Sequence, residues 1–184
     1  MKATAALAFV FVLVAAPALA PALAQGVRPP QPRGTAVVVR KEVLDSMVQS
    51  TAGSAVSDQP VRMVDVGTYQ VGAGIVHRSP TGAQGAIEHS KISEVYYMME
   101  GAGVLVTGGT IPDGRAAAPE SPVVTVLNGP STMGSSIAGG ESRRVAAGDV
   151  VIIPPNTPHF WSRLEGKIVY LVVRVDPEKV IRTK

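Results

Sequence analysis

Three side chains in two separate stretches of the chain are of types that bind transition metals. His89 and Glu94 lie in residues 87–101, IEHSKISEVYYMMEG, and His159 ends residues 148–159, GDVVIIPPNTPH. Two imidazoles and one carboxylate suit a divalent transition metal, and iron, manganese, nickel and zinc all accept these donors. The sequence therefore predicts a metal site at His89, Glu94 and His159 without selecting the metal.

The elements around these residues are predicted to bring them together. His89 ends one predicted strand and Glu94 opens the next, with residues 90–93 as the turn, so that pairing of the two strands would direct both side chains inward. His159 follows residues 154–158, PPNTP, a rigid turn that fixes where the next strand begins.

The surrounding sequence has the pattern of an all-β protein. From Val61 onward, short β-rich runs are separated by Gly, Pro, Asn and Asp, which is typical of an antiparallel sandwich or barrel. The last run, KIVYLVVRV, is apolar on both faces, as expected of a strand that is covered on both sides. The predicted strands are residues 61–66, 69–77, 86–89, 94–99, 103–107, 123–127, 142–146, 149–153, 159–163 and 167–175.

The first 24 residues are predicted to be a cleaved signal peptide. Lys2 precedes an apolar run at residues 5–16, and residues 22–24, Ala-Leu-Ala, form a cleavage site, as residues 18–20 do equally well. An uncleaved membrane anchor is the alternative, but the run is shorter than the roughly 20 residues of a spanning helix. We therefore expect a periplasmic or secreted bacterial protein that is free of the membrane after cleavage.

The rest of the chain is divided around one barrel domain, residues 61–176. Residues 25–60 are predicted to be a Pro- and Gly-rich leader with a short strand at 35–39 and an amphipathic helix at 42–49, and residues 177–184 a tail. Two long polar segments inside the barrel region, residues 108–122 and 128–141, are either lids over a pocket or tolerated insertions.

Composition and missing motifs exclude several classes of function. The 17 basic and 14 acidic residues are scattered and aromatic residues make up 4% of the chain, so a nucleic-acid partner is not predicted. No Gly-rich phosphate loop opens a helix and no nucleophile elbow is found, so no organic cofactor is predicted. The chain has no Cys, and its stability must come from the core, a metal or a subunit contact.

Both metal-binding stretches resemble motifs of the cupin family. HSKISEVYYMMEG is similar to the first cupin motif through His89, Glu94 and Gly101, and GDVVIIPPNTPHFW is similar to the second through Gly148 and His159. The resemblance implies a single-domain antiparallel double-sheet jelly roll, with the short strand and helix of the leader before it. It also implies a homodimer formed by paired edge strands.

The chain departs from the first motif at one position. The first metal-binding His of the family would stand two residues before His89, and that position is Ile87. His77, the third His of the chain, ends a predicted strand, and we hypothesise that it reaches the same cavity as a fourth ligand or as an acid or base. The alternative is a solvated His at the end of its strand.

Other residues are predicted to shape the pocket by strand alternation. Tyr96 and Met98 share a face with Glu94, and Trp161 and Arg163 share a face with His159. Tyr96 is a second candidate acid or base. Arg163 binds a substrate carboxylate if it is buried, because a buried Arg needs an anion, or it lies past the barrel rim in water.

Two functions from different classes follow. The first is a metal-dependent enzyme of the oxygenase or isomerase kind that acts on a small organic molecule, with the metal held by His89, Glu94 and His159. The second is a periplasmic binding or sensing module that holds a small molecule without turnover in a degenerate metal site. The absence of a metal-binding His at position 87 slightly favours a binding module or a weak catalyst.

Overall fold

Two antiparallel β-sheets face each other across an apolar core in the computed structural model of this protein, which describes residues 34–82 and 84–182. The predicted signal peptide, residues 1–24, and the start of the leader, residues 25–33, lie outside the described residues. Within the described residues, no helix has the length and the hydropathy needed to cross a membrane.

The strands follow one another along the chain with few interruptions. They are β1 (Val56–Asp65), β2 (Gln70–Arg78), β3 (Ala86–His89), β4 (Ser93–Glu100), β5 (Ala102–Thr107), β6 (Arg115–Ala116), β7 (Ser131–Gly134), β8 (Glu141–Ala146), β9 (Val150–Ile153), β10 (His159–Leu164) and β11 (Ile168–Asp176). The first sheet has the order β1-β2-β11-β4-β9, and the second has the order β6-β7-β3-β10-β5-β8.

Inward-facing side chains of both sheets fill the space between them. Tyr96 and Met98 of β4 and Tyr170 of β11 pack in one buried cluster with Leu105 of β5 and Trp161 of β10. Burial alternates along β4, as the period-2 pattern of its sequence requires. The predicted all-β, double-sheet jelly roll is confirmed.

Strand β11 is the central element of the first sheet. It pairs with β2 along one side and with β4 along the other. Alternate residues such as Tyr170 and Val172 enter the core, and Val169 on the other face is also buried. This placement explains why the run is apolar on both faces, and it puts the single Arg of the strand, Arg174, inside the barrel.

Residues 123–127, predicted as a strand, are helical instead. Val123–Asn128 forms a short π-helix that starts after Pro122. The amides of Val124 and Thr125 both donate to the Ser121 carbonyl, at 3.0 and 2.9 Å. These local bonds, together with a Pro that fixes the first turn, outweigh the β preference of the sequence VVTVL.

The two long polar segments are built into the second sheet. β6 lies in the first segment and β7 in the second, and β7 pairs with β3 in register with His89. These strands are too short and too polar for the period-2 signal to predict them. Residues 131–134 therefore do not form a loose lid, because they hydrogen-bond to β3, the strand that carries His89.

Residues 34–50 of the leader contain the predicted helix but not the predicted strand. The predicted helix is confirmed as α1 (Lys41–Ser50), which packs on β2. Residues 35–39 belong to neither sheet, so the predicted strand there is wrong. Val37 and Val39 instead line an apolar groove together with Val64 and Val173 of the first sheet.

Candidate metal centre

The three predicted ligands meet at one point inside the barrel. His89 ends β3, Glu94 is the second residue of β4, and His159 opens β10, so both sheets contribute. The nearest ligand atoms of the three side chains all lie within 4.8 Å of one another. The three residues are 3%, 1% and 4% exposed, respectively.

The proline-rich turn before His159 is attached directly to the strand of His89. The Asn156 amide donates to the His89 carbonyl oxygen at 2.8 Å. Asn156 has a φ of 57°, a left-handed conformation that Asn tolerates better than most residues. This turn brings the second motif against the first and sets the position of His159.

Hydrogen bonds at the Nδ1 atoms fix the tautomers of both imidazoles. His159 Nδ1 lies 2.9 Å from the Thr157 carbonyl oxygen, which can only accept, so Nδ1 carries the proton. His89 Nδ1 lies 2.9 Å from the Ser131 hydroxyl, whose own proton is donated to the Gly129 carbonyl oxygen. The hydroxyl oxygen therefore accepts from His89. An imidazole that carries its only proton on Nδ1 has a free lone pair at Nε2.

Both lone pairs point at the same carboxylate oxygen. Nε2 of His89 and Nε2 of His159 each lie 3.5 Å from Oε2 of Glu94. Burial lowers the pKa of His89, despite the attraction of Glu94 for a proton there, which favours the neutral imidazole. Lone pairs directed at a carboxylate repel each other unless a cation lies between them.

Glu94 is held in place by two donors on its two oxygens. Arg174 Nε donates to Oε1 at 2.9 Å, and the Tyr96 hydroxyl donates to Oε2 at 2.7 Å. Burial alone would raise the pKa of Glu94, but the positive charge of Arg174 beside it holds the pKa well below its usual range. Glu94 is therefore ionised and presents Oε2 to the two imidazoles.

Arg174 in turn is neutralised by a second carboxylate. Its two terminal nitrogens donate to the two carboxylate oxygens of Asp58 on β1. Burial disfavours the charge on Arg174, but Asp58 and Glu94 raise its pKa further above the usual value. Asp58, Arg174 and Glu94 form a buried charge chain across three strands of the first sheet, and we refer to it as the charge chain.

The donor set fits a divalent transition metal. Nitrogen and oxygen ligands about 2.1 Å from one ion lie about 3.0 to 3.4 Å apart for ligand angles between 90° and tetrahedral, close to the observed 3.5 Å. Hydrogen bonds that join protein groups to both Nδ1 atoms and to the carboxylate, as seen here, are typical of metal ligands. His89, Glu94 and His159 would hold the ion.

Three of the predicted pocket residues lie inside the barrel. Tyr96, Met98 and Trp161 are buried members of the core cluster. Burial and the charge of Glu94 raise the pKa of Tyr96 well above its usual value. Tyr96 is thus a hydrogen-bond donor that positions Glu94, and it does not suit the role of a base.

Arg163 does not enter the pocket. Its side chain is 68% exposed and lies 3.6 Å from Glu165. The pairing of β10 with β5 shifts register between Trp161 and Arg163, so one extra residue reverses the alternation along β10. The prediction from strict alternation failed for this reason, and Leu164 packs on the core instead.

His77 is not brought to the cluster either. Within β2 it follows Val76, which faces the core, and it is therefore directed to the other face of the sheet. It is buried there and lines a small pocket with residues 52–55 and Lys167. Burial under the residues after α1 also corrects the alternative of a solvated His.

Ile87 occupies the position that strand alternation assigned to it. It shares a face of β3 with His89 and is the cross-strand partner of His159 on β10. Side chains at such paired positions have Cβ atoms about 4.5 to 5.5 Å apart. A longer polar side chain at this position would reach the ligands.

Sequence reasoning missed three residues that support the site. Arg174 carries a recognisable signal, because a lone Arg among inward-facing apolar residues of a central strand needs an anion. Asp58 and Ser131 carry no such signal. Asp58 lies before the first predicted strand of the barrel, residues 61–66, and Ser131 lies in a segment with no detectable period.

Removing the middle of the charge chain is expected to destabilise the protein. Arg174→Met should lower the free energy of unfolding of the metal-free protein by about 3 to 5 kcal/mol, since Glu94 and Asp58 are left without their counter-charge. Denaturation by urea measures the change. Arg174→Met combined with Glu94→Gln should regain part of the loss. A double variant no more stable than Arg174→Met would contradict the assignment of Arg174 as the counter-charge of Glu94.

Adding a ligand at position 87 is expected to strengthen metal binding. Ile87→His places a third imidazole opposite His159 and should tighten the binding of a divalent metal at least tenfold, as measured by competition with a chelator. Met133→His, at the partner position on β7, is the control because its exposed side chain belongs to an outer strand pair. Unchanged affinity of Ile87→His would show that position 87 does not face the site.

Comparisons with known proteins report structural similarity only. No protein-family model matches the chain, and no curated protein sequence matches it. KdgF from Halomonas sp. is 17% identical over 66% of this chain and 79% of its own, with a TM-score of 0.40. The polyketide cyclase RemF from Streptomyces resistomycificus is 20% identical over 66% of each chain, with a TM-score of 0.40. A cupin protein from Bacteroides fragilis is 17% identical over 62% of this chain and 72% of its own, with a TM-score of 0.36. The chain's own sheet order is that of an antiparallel double-sheet jelly roll, and the two stretches that resemble cupin motifs meet at one buried site.

Proposed function

We propose that this protein is a metal-dependent enzyme that acts on a small organic molecule, with oxygenase- or isomerase-like chemistry. One observation carries the proposal: two imidazoles of fixed tautomer direct their Nε2 lone pairs at one oxygen of an ionised, buried carboxylate. A cation relieves that arrangement. A divalent metal bound there supplies Lewis acidity or oxygen chemistry.

The residues of the chain have separate roles in this proposal. His89, Glu94 and His159 hold the ion, while Ser131 and the Thr157 carbonyl orient the imidazoles. Arg174 binds Oε1 and keeps Glu94 ionised, while Oε2 accepts from the Tyr96 hydroxyl and faces the two imidazoles with a lone pair left for the ion. The apolar cluster around Met98 and Trp161 keeps the site dry, which strengthens each of these electrostatic contacts.

A non-catalytic binding or sensing module is the second candidate, and a specific observation favours it. The hydroxyl proton of Tyr96 is donated to Glu94, and His77 lies on the other face of its sheet. Neither predicted acid or base is free to exchange protons with a substrate. A thermal-shift screen of small acids, phenols and sugars separates the candidates, because an enzyme of this kind gives ligand stabilisation that depends on the metal.

The proposal includes export to the periplasm or the medium. It is supported by the apolar run at residues 5–16 and by the cleavage site before Gln25. Fractionation of cells that express the full chain tests it, and a protein that stays in the cytoplasm at full length would contradict it.

The proposal also includes a homodimer. Tyr97 and Met99 of β4 and Val150 and Ile152 of β9 leave an apolar patch on the outer face of the first sheet, with exposed fractions of 37% to 71%. β9 is the edge strand of that sheet.

We expect light scattering to give twice the monomer mass. Ile152→Lys should give a monomer, while Val66→Lys, at an exposed site elsewhere, should not; a monomeric unmutated protein would refute the dimer.

The metal content of the purified protein tests the central proposal. After exposure to divalent metals and gel filtration, the unmutated protein should retain about one ion per chain by mass spectrometry. His89→Ala and His159→Ala should each lose most of it. His77→Ala is the matched control, because it also removes a buried imidazole, but one that lies on the outer face of the first sheet, away from the metal centre.

Absence of stoichiometric metal in the unmutated protein would contradict the proposed metal site. Equal loss of metal from His77→Ala and His89→Ala has two causes: in folded variants it contradicts the assignment of His89 as a ligand, and in unfolded variants it reflects loss of the fold. Far-ultraviolet circular dichroism of each variant distinguishes the two causes.

A further inference from the structure

A polar pocket lies on the outer face of the first sheet, away from the metal centre. It has a volume of about 300 Å³ and is lined by residues 52–55 after α1, by His77, Ser79 and Thr81 at the end of β2, and by Lys167 before β11. None of the described residues that line it is acidic, and none is a predicted metal ligand. The ammonium group of Lys167 is therefore the one charge on its described walls.

Strand alternation places His77 and Ser79 on this outer face. Val76 enters the core, and the Arg78 side chain donates to a tyrosine hydroxyl of the core cluster at 3.1 Å. His77 and Ser79 alternate with these two residues and therefore point the other way. The Ser79 amide donates to the Ala55 carbonyl oxygen at 2.8 Å, so the loop after α1 is held against this end of the sheet.

The imidazole of His77 has no hydrogen-bond partner for either ring nitrogen among the described residues. The residue is only 2% exposed, and its Nδ1 is shielded from solvent, whereas its Nε2 is not. A shielded N–H without an acceptor is rarer in folded proteins than an unused acceptor, so the neutral ring carries its proton on Nε2. That N–H faces the pocket, which is the open space that His77 borders.

Other donors surround the same space. The hydroxyl oxygens of Ser79 and Thr81 lie 2.9 Å apart and share one hydrogen bond, which leaves one hydroxyl proton for a ligand. Lys167 Nζ lies 3.1 Å from a Glu100 carboxylate oxygen, and both side chains are about half exposed. An ammonium group has three N–H donors, so Lys167 keeps donors for a second partner.

We propose that this pocket binds a tetrahedral oxyanion, the phosphate group of a small phosphate ester. A tetrahedral group accepts hydrogen bonds from several directions, and here an imidazole, a hydroxyl and an ammonium group converge from two segments of the chain. A planar carboxylate is matched best by the fork of an Arg, and no Arg lines the described pocket. Lys binds phosphate as a point charge.

The size of the pocket indicates an ester rather than a bare phosphate ion. Its volume of about 300 Å³ is roughly ten times the share of one water molecule in the liquid. A phosphate group at the donors therefore leaves room for a small organic body beside the exposed loop of residues 52–55.

The experiment uses the full folded protein stripped of metal and dialysed free of chelator, because phosphate binds divalent metals. Isothermal titration calorimetry at constant ionic strength measures the binding of glycerol 3-phosphate, inorganic phosphate and glycerol. We expect one molecule of either phosphate per chain. Glycerol, which lacks the anion, should bind about tenfold more weakly than glycerol 3-phosphate, or not at all.

Substitutions identify the site. Lys167→Gln should weaken the binding of glycerol 3-phosphate about tenfold, and His77→Phe, which keeps a ring of similar size but has no N–H, about fivefold. Lys91→Gln is the matched control, because Lys91 is also an exposed lysine paired with a glutamate, Glu178, at 2.7 Å, but lies between β3 and β4. Its affinity should equal that of the unmutated protein. Circular dichroism shows whether each variant is folded.

Three outcomes would overturn the proposal: no binding of either phosphate to the unmutated protein, equal binding of glycerol and glycerol 3-phosphate, or affinities of folded Lys167→Gln and His77→Phe equal to that of Lys91→Gln. Each is measured without metal. A negative result therefore does not bear on the proposed metal centre, and a failure to retain metal does not bear on this pocket.

Discussion

The buried guanidinium of Arg174 is the interaction on which the rest of the site depends. A charge in the interior is stable only where opposite charges and hydrogen bonds replace water, and Arg174 obtains both from Asp58 and Glu94. Because Arg174 occupies one oxygen of Glu94, the other oxygen is left to the imidazoles. Arg174 therefore keeps Glu94 ionised, and together with the Tyr96 hydroxyl it sets the orientation of the carboxylate.

The two imidazoles show the same principle with neutral partners. A hydroxyl on β7 and a carbonyl in the proline-rich turn each take the Nδ1 proton, and this choice exposes Nε2. These partners come from segments far apart in sequence, and each is placed by backbone pairing, β7 on β3 and the turn on the end of β3. The site is therefore a property of the assembled barrel, and neither motif contains all of it.

Sequence alone predicted the residues whose positions depend on local pattern. β3 was predicted with its observed bounds, and the three ligands follow from donor type and strand alternation. The failures arose where the three-dimensional context overrides the pattern. A bulge in β10 reversed the direction of Arg163, and hydrogen bonds to Ser121 turned residues 123–127 into a helix. Asp58 could not be predicted, because its role exists only once β1 lies beside Arg174.

Arg174 also links the two parts of the barrel interior. Its Nε holds Glu94 at the metal centre, and Arg174 also lines a cavity between β1, β2 and the π-helix. A ligand in that cavity that shifts Arg174 changes the position and charge balance of Glu94, and hence the affinity for metal. By linkage, metal binding then changes the affinity for that ligand by the same factor. The charge chain thus stabilises the barrel, and it connects the metal centre to this cavity.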